Sequence, residues 1–535
     1  WGTSRRARGR SRLRVRRRGL RLEDGRAGSG GARPGSAGTW GADTSSGSDS
    51  GDGGSRRGDY LSPGGDHVSV NLSGSLDVGP VSQWLTLEAQ LQALRQDVRP
   101  RGTDVSTLFM IVAMCGAAPS ITQQDLEAAL FEPLPGSARP PGGGDLSLQG
   151  YFRSCSGGAS YLGQRNSAIV AGVTLGCDGV SQYGVWSARR CESVDTFGWA
   201  DAASDAARAL GANLSSYEHR VLVLPNGMGR SAGCTWAGLG TIGPAYQRPD
   251  GGGRYGYVWI PGESARSLNA HFHELMHNLY LGHGSLFPTS RCPAPCDAST
   301  AMGPCCSVRC LSAPHAWQLG WGAPVGGEVL VGAGLPLGST RRYLLPAAAT
   351  ARNAMVLVYP DWVPPPDGST LRWALFISYR PLGTNPYDSD IPPAYADGIV
   401  VHAWNGTEAR DGYTPTAFMA RVLPGGTWRD ADLGTALVVR AGEAFGAAAF
   451  VTVCRPAVVC ETECDDGLDN DCNGLTDGED PACIVGCREP PSPPPSWPDW
   501  PDYPRFPEWP TVPSPPPRPP LPRLPLLPPL LLATA

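Results

Sequence analysis

The run His271-Phe-His-Glu-Leu-Met-His-Asn-Leu-Tyr-Leu-Gly-His283 holds four of the chain's eight histidines and constrains the fold more than any other segment. Apolar residues recur in it with the spacing of a helix that has one buried face: Phe272, Leu275, Met276 and Leu279. His273 and His277 are one helical turn apart, so their side chains project from the same side. Two imidazoles placed in this way can bind one metal ion, and Zn²⁺ suits them.

The residues around this histidine pair complete a catalytic pattern. Glu274 follows the first of the two histidines and lies close enough to take a proton from water at the metal. Gly282 and Gly284 should end the helix near Tyr280, and the turn can then present His283 as a third ligand. Three protein ligands leave the fourth position of Zn²⁺ for water, as in catalytic rather than structural sites. A chance occurrence of the pattern on a surface helix is the alternative, and the third histidine makes it the less favoured one.

Two further histidines near the motif are not assigned to the metal. His271 lies on the far side of the helix and is not expected to bind the metal, and a structural role is favoured for His315. Three histidines would also suit copper, so zinc is inferred from the ligand type only.

Apolar runs bounded by turn residues predict the elements around this helix. Buried strands are predicted at 106–114, 221–224 and 255–260, and helices at 123–130 and 146–155. Five short runs between residues 356 and 453 predict a β-rich region. Strands that alternate with helices, followed by a series of strands, indicate an α/β or α+β fold class.

The histidine run resembles the zinc motif of the metzincins, and in particular that of the gametolysins, the algal matrix metalloproteases. The resemblance covers roughly residues 104–455 and includes two further segments. Cys234-Thr-Trp-Ala-Gly-Leu-Gly240 is similar to the edge strand that binds the substrate main chain, and Asp297-Ala-Ser-Thr-Ala-Met-Gly303 is similar to the Met-turn under the metal. The family pattern usually has glycine at the position of Tyr280, and here the turn is expected to use Gly282 instead.

The resemblance implies a fold and a set of roles. The fold would be α+β, with a metzincin-like catalytic domain made of a twisted mixed sheet and the active-site helix. Glu274 would be the catalytic base, and Zn²⁺ would be held by His273, His277 and His283. Met302 would support the site by packing without binding the metal. The substrate main chain would be bound by Gly238, Leu239 and Gly240.

Composition and the resemblance together divide the chain into six parts. They are a disordered Arg/Gly/Ser-rich segment (1–58), a propeptide remnant (59–103), the zinc metalloprotease domain (104–340), a β-rich module (341–455), a Cys/Asp-rich cation-binding motif (456–487) and a disordered Pro-rich tail (488–535).

The Cys/Asp-rich motif has the spacing of a calcium loop. Positions 1, 3, 5, 9 and 12 of such a loop would be Asp469, Asp471, Asn473, Asp477 and Asp480. Gly474 stands at the turn position, and the last ligand is Asp rather than a bidentate Glu, which predicts weak affinity for Ca²⁺. The alternative is a solvated acidic loop held together by disulfides.

Cysteines and sequons predict the compartment. Sixteen cysteines, an even number in loop-like segments, predict disulfides and an oxidising environment. Three N-glycosylation sequons, at Asn71, Asn213 and Asn405, agree with secretion. The resemblance implies that the destination is a matrix or cell wall. The Arg-rich residues 1–26 lack interleaved aromatic residues, which disfavours nucleic-acid binding. No apolar run reaches the roughly 18 residues of a membrane span.

The Pro-rich tail has an aromatic period of three. A polyproline II helix would place on one face, each before a proline, the rings of Trp497, Trp500, Tyr503, Phe506 and Trp509. A semi-rigid stalk is one interpretation. The other is an aromatic ladder that contacts wall polysaccharide or glycoprotein.

These patterns predict a secreted zinc endopeptidase that hydrolyses peptide bonds through zinc-activated water. The resemblance alone implies its substrates, matrix or wall glycoproteins rich in proline or hydroxyproline. The alternative is a non-catalytic, Pro-rich wall adhesion glycoprotein on a protease scaffold. The intact Glu274 and its three histidines make that alternative less favoured, because an inactive homologue commonly loses its base.

Overall fold

The computed structural model of the chain describes residues 103–133, 145–244, 246–247, 254–292, 295–365, 372–406 and 414–487. The predictions made for the disordered segment (1–58), for the propeptide remnant up to residue 102 and for the tail from residue 488 lie outside these ranges.

Strands outnumber helices in this part of the chain. The strands in chain order are β1 (Thr107–Met114), β2 (Ala168–Leu175), β3 (Asp178–Ser181), β4 (Gly184–Ser187), β5 (His219–Val223), β6 (Leu239–Gly240), β7 (Tyr246–Gln247), β8 (Arg254–Ile260), β9 (Gly284–Leu286), β10 (Ala323–Leu330), β11 (Ser339–Pro346), β12 (Asn353–Val358), β13 (Ala374–Arg380), β14 (Gly398–Trp404), β15 (Thr416–Val422), β16 (Thr427–Arg429), β17 (Val438–Ala444) and β18 (Ala448–Arg455). The α-helices are α1 (Gln123–Leu130), α2 (Leu148–Cys155), α3 (Ser193–Ala209), α4 (Met228–Ser231), α5 (Leu268–Asn278), α6 (Ala313–Gln318) and α7 (Pro481–Val485).

The first sheet carries the histidine helix. Its strand order is β2-β1-β5-β8-β6, with β7 also paired to β8. The pairs β1–β2, β1–β5 and β5–β8 are parallel, whereas the edge strand β6 runs antiparallel to β8. β1 and β5 are nearly continuous buried runs because helices cover both faces of this sheet.

Alternation along the strands divides the core of the first sheet in two. Val221 and Val258 pack with α1, α2 and α5 on one face. Leu222 and Trp259 pack with α3 on the other face. The histidine helix therefore has a face of the sheet that α3 does not share.

Two further sheets follow along the chain. One has the order β10-β12-β13-β14-β15-β9, and the other has the order β11-β18-β17-β16. Residues from both form one apolar core, which includes Leu330, Val401 and Val451. β9 and β10 precede residue 340 and β12 to β15 follow it, so the sequence segments 104–340 and 341–455 share a sheet. The fold is thus mixed α and β with several sheets.

All sixteen cysteines are paired, as the even count predicted. The pairs are Cys115–Cys177, Cys155–Cys310, Cys191–Cys234, Cys292–Cys296, Cys305–Cys306, Cys454–Cys472, Cys460–Cys487 and Cys464–Cys483. Within the described ranges, no helix has both the length and the apolar character needed to cross a bilayer.

Candidate metal centre

Helix α5 is anchored to the core by its apolar stripe. Ser267 begins the helix, because its hydroxyl accepts a hydrogen bond from the N–H of Ala270 at 3.2 Å. Phe272 is fully buried and stacks on Tyr151, with 4.1 Å between the ring centroids. This packing fixes the rotation of the helix and therefore the direction in which its histidines project.

The three histidines singled out in the sequence lie together. One ring nitrogen from each of His273, His277 and His283 lies within 4.8 Å of those of the other two. The ring centroids of His277 and His283 are 4.8 Å apart, and those of His273 and His283 are 5.3 Å apart. The first two side chains are buried and the third is partly exposed. The cluster is therefore open to solvent on the side of His283.

Backbone carbonyls orient the two helical histidines. Nδ1 of His273 lies 2.8 Å from the carbonyl oxygen of Ala301, and Nδ1 of His277 lies 2.8 Å from that of Leu281. A carbonyl can only accept, so each Nδ1 donates and carries the ring proton. Each Nε2 then keeps its lone pair, which is the tautomer that a metal requires.

The spacing and protonation of the cluster fit a zinc ion. Nε2 of His277 and Nε2 of His283 are 3.2 Å apart. Two nitrogens at about 2.0–2.1 Å from one tetrahedral ion would be separated by about 3.3 Å. Burial, with the neighbouring His277 as the second cause, holds the pKa of His273 well below its usual value. Burial also lowers the pKa of His277 to about 4 and lowers that of His283, so all three imidazoles are neutral near pH 7.

A reversal of the chain at Tyr280 brings His283 to the pair. The N–H of Leu281 donates to the carbonyl of Met276 at 3.1 Å, and the N–H of Tyr280 donates to that of His277 at 2.9 Å. These two bonds define a Schellman motif, whose left-handed position is usually glycine. Tyr280 occupies it with φ of 69°. The expectation that Gly282 makes this turn was wrong.

Close packing accounts for both residues of that turn. A Cβ atom at Gly243 would lie 2.2 Å from the Tyr280 ring, so this aromatic side chain rests directly on the Gly243 backbone. A Cβ atom at Gly282 would lie 2.8 Å from the carbonyl oxygen of Thr414. Gly282 is therefore needed where the segment before His283 meets the segment before β15.

The second sheet positions the third histidine. β9 begins directly after His283 and pairs in parallel with β15, in the register Gly284 to Thr416. The N–H of Thr416 donates to the carbonyl of His283 at 3.1 Å. The pairing of β9 with β15 thus fixes the backbone of the third histidine relative to α5.

His315 is linked to the histidine cluster through Thr416, which bonds to both His315 and His283. Its Nδ1 lies 3.0 Å from the Ser312 hydroxyl and 3.2 Å from the Thr300 hydroxyl, and its Nε2 lies 3.3 Å from the Thr416 hydroxyl. Burial lowers the pKa of His315 to about 3, so its imidazole is neutral. His315 bonds to hydroxyls on three separate segments and stands outside the cluster of ligand atoms. His271 also stands outside it, with Nε2 3.0 Å from the carbonyl of Ala265.

The turn from Asp297 to Gly303 lies against the cluster. Met302 is fully buried in the core that contains Phe272, and its carbonyl accepts a hydrogen bond from Gly284 at 2.8 Å. The preceding carbonyl, that of Ala301, is the one that orients His273. The turn therefore orients His273 through the carbonyl of Ala301. Through the carbonyl of Met302 it holds Gly284, the residue after His283.

A buried pair holds the start of this turn. Oδ2 of Asp297 lies 3.2 Å from Nε2 of His402, and its Oδ1 accepts a hydrogen bond from the N–H of Ser299 at 2.8 Å. Burial would raise the pKa of Asp297, but the interactions with His402 and Ser299 outweigh it and hold the pKa below its usual value. The carboxylate is therefore charged near neutral pH and orders the turn.

Glu274 lies between the helix and the edge strand. A Cβ atom at Gly238 would lie 2.6 Å from Cγ of Glu274, and one at Gly240 would lie 2.6 Å from its carbonyl oxygen. Leu239 pairs with Trp259 on β8. The two glycines thus let the backbone of the edge strand pass directly over Glu274. Burial raises the pKa of this carboxyl to about 8.

The Cys/Asp-rich motif is only partly brought together. The side-chain amide of Asn473 donates to Asp480 at 2.7 Å and to Asp471 at 3.2 Å, and its backbone N–H donates to Asp469 at 2.9 Å. Asp477 instead accepts from the backbone of residues 466 and 467. Carboxylate oxygens of Asp469 and Asp471 lie within 4.8 Å of one from Glu461, which was not among the predicted ligands.

Sequence reasoning missed the groups that orient the histidines. The carbonyls of Ala301 and Leu281 carry no signal, because any residue supplies a carbonyl. Thr416 lies 133 positions after His283 in the chain, as the backbone bond between them shows, and nothing in the histidine run points to it. Glu461 precedes the first position of the calcium loop template and therefore fell outside the pattern.

Known proteins resemble the part of the chain that carries this site. The family model of gametolysin peptidase M11 matches residues 104–422, more than half of the chain. The chain is also 27% identical over 309 residues to a protein named autolysin from Chlamydomonas reinhardtii. That match takes in 49% of this chain and 44% of the autolysin, so the chain spans less than half the length of this relative. The family match includes α5, the turn with Met302 and β15, whereas the Cys/Asp-rich motif lies beyond it.

Proposed function

Because this chain belongs to the gametolysin family of M11 peptidases, we propose that it is a zinc-dependent, metzincin-type endopeptidase that acts on matrix or cell-wall proteins. The observation that carries the proposal is the convergence of His273, His277 and His283, whose ring nitrogens lie within 4.8 Å of one another. A parallel sheet with an antiparallel edge strand above the histidine helix agrees with the metzincin type.

The chain's own residues supply binding and proton transfer. When bound, a zinc ion acts as a Lewis acid on water and on the scissile carbonyl, and its charge favours the ionised form of Glu274. The Glu274 carboxylate takes a proton from the attacking water and transfers it to the leaving amine. The edge of β6 away from β8 offers backbone groups to an extended substrate chain. Gly238 and Gly240 hold this edge strand close to Glu274, so a substrate strand added there would lie near the base.

Secretion and a wall substrate are part of the proposal. Eight disulfides favour an oxidising, extracellular compartment. The relative named autolysin favours a substrate in the cell's own wall or matrix. Wall glycoproteins rich in proline or hydroxyproline are the proposed substrates, and wall contact through the aromatic tail is a further prediction.

The Cys/Asp-rich motif is proposed to bind Ca²⁺ weakly. Glu461, Asp469 and Asp471 supply carboxylates within reach of one another. Asp480 is joined to them through Asn473. Oxygen ligands of this kind suit a hard cation.

Proteolysis by the purified full chain tests the main proposal. Cleavage of gelatin and of a wall extract is measured with a chelator, after zinc is restored, and in Glu274→Gln. Loss of the base should lower kcat by about 10²- to 10⁴-fold while zinc remains bound. Glu443→Gln, an exposed position far along the chain, serves as the matched control and should keep full activity.

The result also separates the two candidate functions. Cleavage that follows zinc and needs Glu274 establishes the peptidase. A chain that binds one zinc ion but cleaves neither substrate, before or after limited proteolytic activation, would overturn it in favour of the wall adhesion protein.

A further inference from the structure

A cavity lies on the face of the first sheet opposite to α5. Its volume is about 560 Å³, and it is open to solvent and bordered by the antiparallel β3–β4 hairpin, helix α3 and strands β5 and β8. Cavities of roughly 300–1,000 Å³ are the size that small-molecule sites have. None of the three clustered histidines and no residue of β6 lines it. It is therefore separate from the metal centre.

Arg220 is the buried cation in the wall of this cavity, which is also lined by the carboxylates of Asp201 and Asp205 and by Arg208. Only 4% of its surface is exposed, and its guanidinium carbon lies 3.5 Å from the centroid of the Tyr255 ring. Its Nη2 donates a long hydrogen bond of 3.5 Å to the carbonyl of Leu214, and its Nε has no partner. In the part of the chain that the structure describes, no carboxylate lies within ion-pair distance of it.

The strand register explains why this charge is there. Arg220 on β5 pairs with Tyr257 on β8, so both side chains point to the face covered by α3. Tyr255 lies two residues earlier on the same face of β8. Stacking on an aromatic ring offsets part of the cost of burying a guanidinium, by about 0.5–2 kcal/mol. Asp201 interacts with Arg220 electrostatically but does not reach ion-pair distance, so a ligand carboxylate that does reach the guanidinium would offset more of this cost.

The rest of the wall offers hydrogen bonds of both kinds. Asp201 and Ser204 line it from α3, and Ser181 and Gln182 line it from the hairpin. The amide of Gln182 donates to Asp201 at 3.2 Å, and Ser204 shares a hydrogen bond of 3.1 Å with Tyr257. Hydroxyl, amide and carboxylate groups in one wall match a ligand with several hydroxyl groups.

We propose that this cavity binds a sugar acid, a hydroxylated ring that bears a carboxylate. The carboxylate pairs with the planar guanidinium of Arg220, which presents parallel N–H donors to two oxygens. The ring hydroxyls exchange hydrogen bonds with Asp201, Ser204 and Gln182. A peptide chain end shares the carboxylate, but it brings fewer hydroxyl groups to Asp201, Ser204 and Gln182 than a sugar ring does.

Glucuronate and glucose form the matched pair of probes, because they share a ring and differ in the carboxylate. Their binding to the full chain is measured by titration calorimetry and by ligand-observed NMR. Glucuronate should bind with a Kd of about 1 mM, and glucose at least about tenfold more weakly. Acetyl-Ala-Ala, a peptide with a free carboxylate, is the third probe.

The variants assign the binding to Arg220. Arg220→Met keeps the side-chain length and should reduce glucuronate binding to the level of glucose, while Arg220→Lys should retain part of it. Arg189→Met, an exposed arginine near the hairpin, is the matched control and should bind as the unmodified chain does. Gln182→Trp, at an exposed position on the rim, should block the cavity even if Arg220→Met does not fold. Peptidase activity and thermal unfolding report the fold of each variant.

Each other outcome counts against the proposal. Equal binding of glucuronate and glucose, or glucuronate binding that survives both Arg220→Met and Gln182→Trp, overturns it. Tighter Arg220-dependent binding of the peptide than of glucuronate would replace the sugar acid with a peptide chain end as the ligand.

Discussion

The backbone N–H of Thr416 donates a hydrogen bond to the carbonyl oxygen of His283 at 3.1 Å. The proposed third zinc ligand is therefore held by a strand that lies far along the chain from the histidine helix. The side-chain hydroxyl of Thr416 reaches His315, which also bonds to Thr300 and Ser312. The stability of the metal centre should depend on this buried polar connection.

Removing the Thr416 hydroxyl should weaken zinc binding. Thr416→Val keeps the shape but leaves Nε2 of His315 without that partner, and groups that orient ligands typically contribute about 10- to 100-fold in metal affinity. Competition with a chromogenic chelator measures the zinc Kd, and the absorption spectrum of the cobalt-substituted protein reports the ligand geometry. Thr196→Val is the matched control, since the hydroxyl of this buried threonine donates to the carbonyl of Ser193 within its own helix and is far from the histidines in the chain. An unchanged zinc Kd in Thr416→Val would show that the connection is structural only.

A methyl group at Gly238 should reduce catalysis without removing zinc. The new Cβ atom would lie 2.6 Å from Cγ of Glu274, so either the carboxylate or the edge strand must move. We expect kcat/KM of Gly238→Ala to fall by at least about tenfold, because a displacement of the base of about 1 Å is costly. Gly176→Ala, where the nearest atom would be 3.5 Å away, should behave as the unmodified enzyme. Full activity of Gly238→Ala would mean that the strand does not constrain Glu274.

Acid should destabilise the fold through His219. Burial lowers the pKa of this imidazole to about 4, and the hydrogen bond with Asn278 offsets only part of that effect. The unfolded chain takes up this proton near pH 6.5, so between about pH 6.5 and 4 it binds more protons than the folded chain. The free energy of unfolding should then fall by up to about 1.4 kcal/mol per pH unit from this group as pH falls, and it should be constant above that window.

Urea unfolding of the unmodified chain and of His219→Gln at several pH values measures this slope. A chelator is present throughout, so that release of metal does not contribute. His219→Gln should show the shallower dependence on pH between about 6.5 and 4. Identical slopes in the two proteins would contradict the assignment to His219.

The two ends of the calcium loop template should respond differently. Asp469 lies with Asp471 and Glu461, whereas Asp477 accepts hydrogen bonds from the backbone at residues 466 and 467. Calorimetric titration with Ca²⁺ should therefore show loss of binding in Asp469→Asn and near-normal binding in Asp477→Asn. Equal loss in both variants would restore the loop ligand set that the sequence spacing predicted. Absence of binding to the unmodified chain would leave a disulfide-held acidic loop.

Much of the first sheet could be predicted from the sequence. Helix α1 begins and ends at the predicted residues, and β1, β5 and β8 lie within one or two residues of the predicted runs. Their apolar residues are continuous because both faces of the sheet are covered, and that pattern is visible in one dimension. The histidine helix could be predicted equally well, because its apolar residues and its two histidines both recur with the period of an α-helix.

The longest helix, α3, was not predicted. Its buried residues include Ala200, Ala203 and Ala207, and small residues give a weak amphipathic signal even where they are fully packed. Trp199 fills the space beside them. The close packing of these alanines depends on the side chains of the sheet that faces them, such as Leu222 and Trp259. The sequence of the helix alone does not show that surface.

The sequence predicted which residues form the candidate site, but not how the fold brings His283 to the other two histidines. His273, Glu274 and His277 share one helix, so their spacing alone places them together. The position of His283 depends on Tyr280 in a left-handed conformation and on a strand pairing with β15. Glycine was expected to make the turn because the family pattern has glycine there, and a tyrosine in a left-handed conformation costs about 1–2 kcal/mol. Contact of its ring with Gly243, a tertiary effect, compensates.

The pairing of β9 with β15 also determines when during synthesis the backbone of His283 can be fixed. A ribosome delivers the chain from its N-terminus, so α5 emerges long before the strand that fixes His283. A nascent chain that ends before Thr416 has the base and two ligands but no partner for the segment that carries the third. A fragment that stops at residue 340 should therefore bind zinc more weakly than the full chain, because the segment that carries His283 has no strand to pair with.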